Sequence, residues 1–107
     1  MGVKGGKMQK ESVLQTELLL EKLIQIDGIT TKKMFGGHGI FHDNKMFGLI
    51  DSKGGAFFNA NETNVDDYLS LGSHKHSKMP YYSIPESVFT DFEKLEDWAK
   101  KSIVISK

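Results

Sequence analysis

The sequence has no cysteine, no arginine, no net charge, and no apolar run near the ~20 residues that span a bilayer. Without cysteine there is no disulfide, no thiolate zinc site and no thiol nucleophile. That composition fits a reducing, cytoplasmic compartment, and the N-terminus lacks the apolar core of a signal peptide. All 14 cations are lysine, balanced by 14 acidic residues, so no whole-molecule field draws in nucleic acid. Arginine is the usual reader of guanine edges, and its absence disfavours sequence-specific recognition of DNA.

What is present suffices for one domain. A chain of 107 residues buries roughly 65 % of its unfolded surface and needs no covalent staple. Residues 1–10 hold three Lys and three Gly and read as a disordered leader, or as an appended segment ahead of a natural start at Met8. Residues 11–107 read as a single domain. From Ser12 to Ile26, Val13, Leu14, Leu18, Leu19, Leu20, Leu23, Ile24 and Ile26 recur at helical spacing, and Gly28 supplies the left-handed stop.

The middle of the chain changes period. Lys32–Phe35, Gly39–His42, Lys45–Asp51 and Gly55–Asn59 are short apolar runs. Asp43-Asn44 has the length and chemistry of a tight hairpin turn. A second helix carries Val65, Tyr68 and Leu69, capped by Asn61 or Asn64 and ended by Gly72. His74–Lys78 and Tyr81–Ile84 are expected as the last strands. Thr90-Asp91-Phe92-Glu93 reads as a capping box opening a helix with Phe92, Leu95, Trp98, Ala99 and Ile103 on one face. The expected fold is α+β: an antiparallel sheet of about five to six strands, with the N-terminal, middle and C-terminal helices packed on one face in two layers.

Several motifs in order carry a resemblance. Met34-Phe35-Gly36-Gly37-His38-Gly39-Ile40-Phe41, followed by Met46-Phe47-Gly48-Leu49-Ile50, resembles the signature of the TfoX N-terminal domain family. Met79-Pro80-Tyr81-Tyr82-Ser83-Ile84-Pro85 and Glu93–Lys101, with its Asp97-Trp98-Ala99, are similar to the family's later strand and closing helix. His38 departs from the family's usual Tyr, and the segment Gly72–Lys78 is shorter than usual. The resemblance implies a stand-alone N-terminal domain without the helical C-terminal domain of full-length regulators. It further implies a competence or transcription co-regulator that works through a DNA-bound activator, such as the cyclic-AMP receptor protein.

Candidate interaction or ligand residues fall in two places. The glycine turn contributes Gly36, Gly37, His38 and Gly39; its spacing is not a dinucleotide fingerprint, because a strand follows it rather than a helix. Its glycines point instead to positive φ or close backbone approach. The other place is a basic hairpin with His74, Lys75, His76 and Lys78, beside Tyr81 and Tyr82. His74 and His76 share a face if extended and could form half of a metal site with His38 and His42 as the other half, but a surface pair is more often solvated than ligated. The hairpin's positive charge suits an acidic partner or phosphate, or simply keeps a sheet edge from aggregating.

No catalytic constellation stands out, so no enzyme activity, cofactor or metal is expected. The expected partner is a protein, with the domain itself a monomer or homodimer. A small-ligand or anion-binding module and weak nonspecific DNA binding are the alternatives.

Overall fold

The computed structural model describes residues 3–34, 36–77 and 79–107, with side chains from Glu11 onward. Helix α1 spans Val3–Lys22, followed by strands β1 (Ile29–Met34), β2 (Gly37–His42), β3 (Lys45–Ile50) and β4 (Ala56–Asn59). Helix α2 (Val65–Leu69), strand β5 (Tyr81–Ser83), and helices α3 (Glu86–Phe89) and α4 (Phe92–Ser106) complete the described chain. The five strands form one antiparallel sheet in sequential order β1-β2-β3-β4-β5. The α+β class expected from the sequence is the one observed.

Turn chemistry explains the meander. Asp43 and Asn44 take φ of 50° and 68°, the two left-handed residues of a hairpin turn whose twist matches its strands. In the next connection the Asp51 carboxylate accepts from the Lys53 and Gly55 amides, and Gly54 takes φ of +89°. Gly28 takes the left-handed φ of +85° expected of it, but in the turn that leads into β1 and not directly after the last turn of α1.

Four local expectations are corrected. The first helix starts at Val3 instead of Ser12, so Val3–Lys10, expected as leader, is helical backbone. Lys4, Lys7, Met8, Gln9 and Lys10 are good helix formers, and extending a packed helix costs little once it is nucleated. The same helix ends at Lys22, with Leu23–Ile26 in a tighter turn. Thr90 does not cap α4. A short helix, α3, precedes it; Thr90 closes that helix and its hydroxyl donates back to the Glu86 carbonyl, so Asp91 becomes the cap and accepts from the Lys94 amide. Finally, His74–Lys78 is no full strand among the described residues: Lys75 makes an isolated bridge to Tyr82 beyond β5.

The core lies between the sheet and the helices. Ile40, Phe47, Ile50 and Phe58 from the sheet meet Leu19 of α1, Leu23 of the turn that follows it, and Leu95, Ala99 and Ile103 of α4. Tyr68 of α2 joins them, its ring against Trp98 at 4.5 Å. A bulge shapes this face: Ile40 pairs with Gly48 and Phe41 with Met46, leaving Phe47 as the extra residue of β3. Phe47 therefore enters the core, while Met46 and Leu49 stay on the opposite face. On α1 the inward stripe is Ser12, Thr16 and Leu19, continued by Leu23 in the turn that follows, whereas Leu14 and Leu18 are exposed. Thr16 satisfies its hydroxyl by donating to the Ser12 carbonyl, which makes a polar residue acceptable there.

Candidate functional site

The face of the sheet turned away from the helices carries a cleft of about 220 Å³ with a mainly apolar lining. Met34 and Met46 of its lining pack over Gly39, which is buried in β2 and whose missing side chain leaves room for them and for Phe41. A Cβ on Gly39 would lie 2.6 Å from Met34 Sδ, 2.8 Å from the Phe41 ring and 3.0 Å from Met46 Sδ. Leu49, the cross-strand partner of Gly39, extends the lining, and His76 and Met79 line the cleft from the segment before β5.

That segment is held over the sheet by aromatic contacts and hydrogen bonds. The rings of His74 and His76 stand edge-on to Phe57, at 5.6 Å and 4.8 Å between centroids. Phe57 is thereby buried although it lies on the face opposite Phe58. The His76 amide donates to the Tyr81 carbonyl at 2.7 Å, and the Ser83 amide to the His74 carbonyl at 2.9 Å. Beneath them the Tyr81 hydroxyl donates to the Met46 carbonyl at 3.0 Å, tying β5 to β3. Burial pushes this phenol's pKa up.

The structure thus joins the two regions singled out in the sequence. Gly37 and His38 of the glycine turn line the same cleft as His76 of the hairpin. Gly36 lies at the exposed turn with φ +78°, and Gly37 is pressed against the Ile50 carbonyl. Lys75 is exposed at the edge, and Lys78 lies outside the described residues. Tyr82 packs on Tyr68 at 6.1 Å on the helix side, and Tyr81 has spent its hydroxyl on Met46, so neither ring is a free stacking platform. The histidines do not assemble as a metal site. His74 and His76 share a face, but His42 sits beside Asp43 at 3.6 Å, at the far end of β2. Among the described residues no three His, Asp or Glu side chains group to hold a metal.

Met34, Met46, Met79 and Leu49 of the cleft escaped the sequence-based choice of site residues. The available signal was that Met34 and Met79 each lie within two residues of a candidate segment, but only the fold brings them to one cleft.

His38 links the site to α1. A hydrogen bond of 2.8 Å joins its Nδ1 to Ser12 Oγ. Burial, and then the nearby Lys33 ammonium, hold its pKa below the ordinary 6.5. Because the fold favours the neutral ring, the unfolded chain takes up this proton first as pH falls. The stability His38 contributes is present above about pH 6.5 and is lost as pH falls through its lowered folded value. Melting temperatures measured at about pH 7.5 and about pH 5 should therefore drop less in His38→Gln than in the parent chain. Equal drops would refute this coupling.

Among the described residues no helix is long and apolar enough to cross a membrane. No curated protein matches the chain significantly. The family model of the TfoX N-terminal domain matches residues 21–105, from the last turn of α1 through the sheet to the end of α4. With its sheet, cleft and closing helix all inside that match, the chain belongs to the TfoX N-terminal domain family.

Proposed function

We propose that this domain is a co-regulator of competence genes that works through contacts with another protein, in the cytoplasm and without catalysis of its own. Family membership, which carries a competence-related role, is the observation that supports this reading. Balanced charge and the absence of arginine favour a protein partner over bases as the thing recognised. The partner expected from the family is a transcription activator already bound to DNA. Deleting the gene should lower competence-gene transcripts several-fold, and the purified domain should shift the amide spectrum of a purified activator. Unchanged transcripts together with an unchanged spectrum would overturn the reading.

The cleft favours a second reading, a small-ligand module. It places the glycine turn and the hairpin around one apolar space, as a ligand site requires. An anion suits it poorly, because the described lining offers the carboxylate of Asp51 and no lysine. Metabolite pools that move amide resonances at Gly37–Gly39 and His76 would support this reading, and broad changes elsewhere would remove it.

A further inference from the structure

The chain has five methionines, and the three beyond residue 10, Met34, Met46 and Met79, all line this one cleft. The buried core, by contrast, is filled with Leu, Ile, Val, Phe, Ala and Tyr and holds no methionine among the described residues. Among the described side chains, sulfur is absent from the core and gathered at one open place. Two of the sulfurs, Met34 Sδ and Met46 Sδ, lie 2.6 Å and 3.0 Å from the same point above Gly39. Their separation is therefore at most the sum of these distances, which small rotations of two flexible side chains can adjust. A nitrogen donor shares the cleft: His76 lines it, and its Nδ1 is buried with no hydrogen-bond partner among the described residues. The one carboxylate in the lining, Asp51, is already engaged, with Oδ1 accepting from two backbone amides.

We propose that the cleft binds one soft monovalent cation of the Cu(I) class, through the thioethers of Met34, Met46 and Met79 and the imidazole of His76. Thioethers select Cu(I) over Zn(II), Mg(II) or Ca(II), and imidazole is compatible with that choice. The four donors carry no negative charge, and the Asp51 carboxylate in the lining offsets one unit of the ion's charge at most. The cost of burying charge rises with its square, which favours a monovalent ion over a divalent one. Gly39 supports the site from beneath, because its bare backbone lets the two sulfurs settle beside the Phe41 ring. The proposal rests on the second reading above, that the cleft is a ligand site, and is independent of the regulatory role.

The test uses the full chain labelled with ¹³C at the methionine methyls. Ag(I) in chloride-free buffer serves as a redox-inert probe, followed by anaerobic Cu(I) in competition with a chromophoric chelator. One equivalent of Ag(I) should move the methyl signals of Met34, Met46 and Met79 together and leave Met8 in place, while Zn(II) moves none. The double variant Met34→Leu/Met46→Leu, which conserves volume, should bind Cu(I) at least ~10-fold more weakly, since even outer-sphere partners of a metal are worth that much. Gly39→Ala should weaken binding without removing a donor. Should the double variant fail to fold, Met79→Leu reports instead, because Met79 is 39 % exposed and removing its sulfur leaves the core untouched.

Two results would overturn the metal site: Met8 shifting along the same titration curve as the other three, or Cu(I) affinity unchanged in the variants. An organic metabolite that moves the three methyls while Ag(I) moves none would also overturn it, yet leave the cleft standing as a ligand site. Silence from both probes would remove the ligand reading as well.

Discussion

Gly37→Ala is expected to destabilise the domain by about 3 kcal/mol or more, lowering its melting temperature by roughly 10–20 °C. The new Cβ would sit 2.0 Å from the Ile50 carbonyl oxygen and 3.0 Å from the Asp51 Cα and carbonyl carbon. These are backbone atoms of the neighbouring chain segment, so no rotamer change relieves the clash. Strands β2 and β3 must part at the point where their hairpin meets the cleft. The neighbouring glycines provide an internal scale. Gly36→Ala meets only Ser52 Cβ at 3.4 Å, and its burden is the positive φ of +78°, at a cost of about 1 kcal/mol. Gly39→Ala meets two methionine sulfurs and a ring, the sulfurs lying toward the ends of flexible side chains that can move aside. Urea midpoints should therefore place Gly37→Ala far below the other two. A Gly37→Ala protein as stable as Gly36→Ala would show that the backbone approach at Ile50 is not as close as described.

Phe58→Ala is expected to cost about 3–5 kcal/mol, the range for removing a fully buried aromatic side chain from a core. Phe58 is 0 % exposed, and its ring lies 5.9 Å from that of Phe47. It also covers Gly48, its cross-strand partner, approaching within 3.2 Å of where a Gly48 Cβ would be. Truncation therefore opens a cavity and exposes bare strand backbone together. Phe58→Leu, which keeps most of the volume, should cost about half as much or less. Phe92→Ala is the control. The periodicity of the last helix places Phe92 on the inward face, but it is 43 % exposed, so its loss should be worth less than ~0.5 kcal/mol. Chemical denaturation of the three variants checks the order, and a Phe92→Ala loss equal to that of Phe58→Ala would contradict the packing.

The mismatch at Phe92 recurs on α1. Helical spacing correctly marks Leu19 and Leu23 as core and wrongly marks Leu14 and Leu18, whose places on the inward stripe are taken by Ser12 and Thr16. Periodicity tells which residues share a face but not which face finds a partner. Here a polar pair wins because His38 and the Ser12 carbonyl satisfy the two hydroxyls. The capping box failed for a similar reason. Thr90-x-x-Glu93 has the right letters, but α3 ends on Thr90 and leaves the cap to Asp91.

Signals that act within a few residues were legible without coordinates. They include the left-handed Gly28, the Asp43-Asn44 hairpin, the short connections that force an antiparallel meander, and the spaced motifs that carry the family. Each depends on backbone sterics or on hydrogen bonds to near neighbours in the chain, so composition at a few positions decides it. Gly36, Gly37 and Gly39 were legible as a class, as glycines demanded by conformation or close approach, but not by individual cause. Which of them faces a carbonyl and which faces two sulfurs depends on cross-strand register. The bulge at Phe47 was decided only in three dimensions. It sends Phe47 to the core and leaves Met46 and Leu49 on the other face, where strict alternation would have set Met46 and Ile50 together. The meeting of Met34, Met46 and Met79 follows from that register and from the segment folded back over Phe57, contacts between residues far apart in the chain. Local chemistry therefore specified the elements and their order, and long-range pairing, which no short window of sequence encodes, made the cleft.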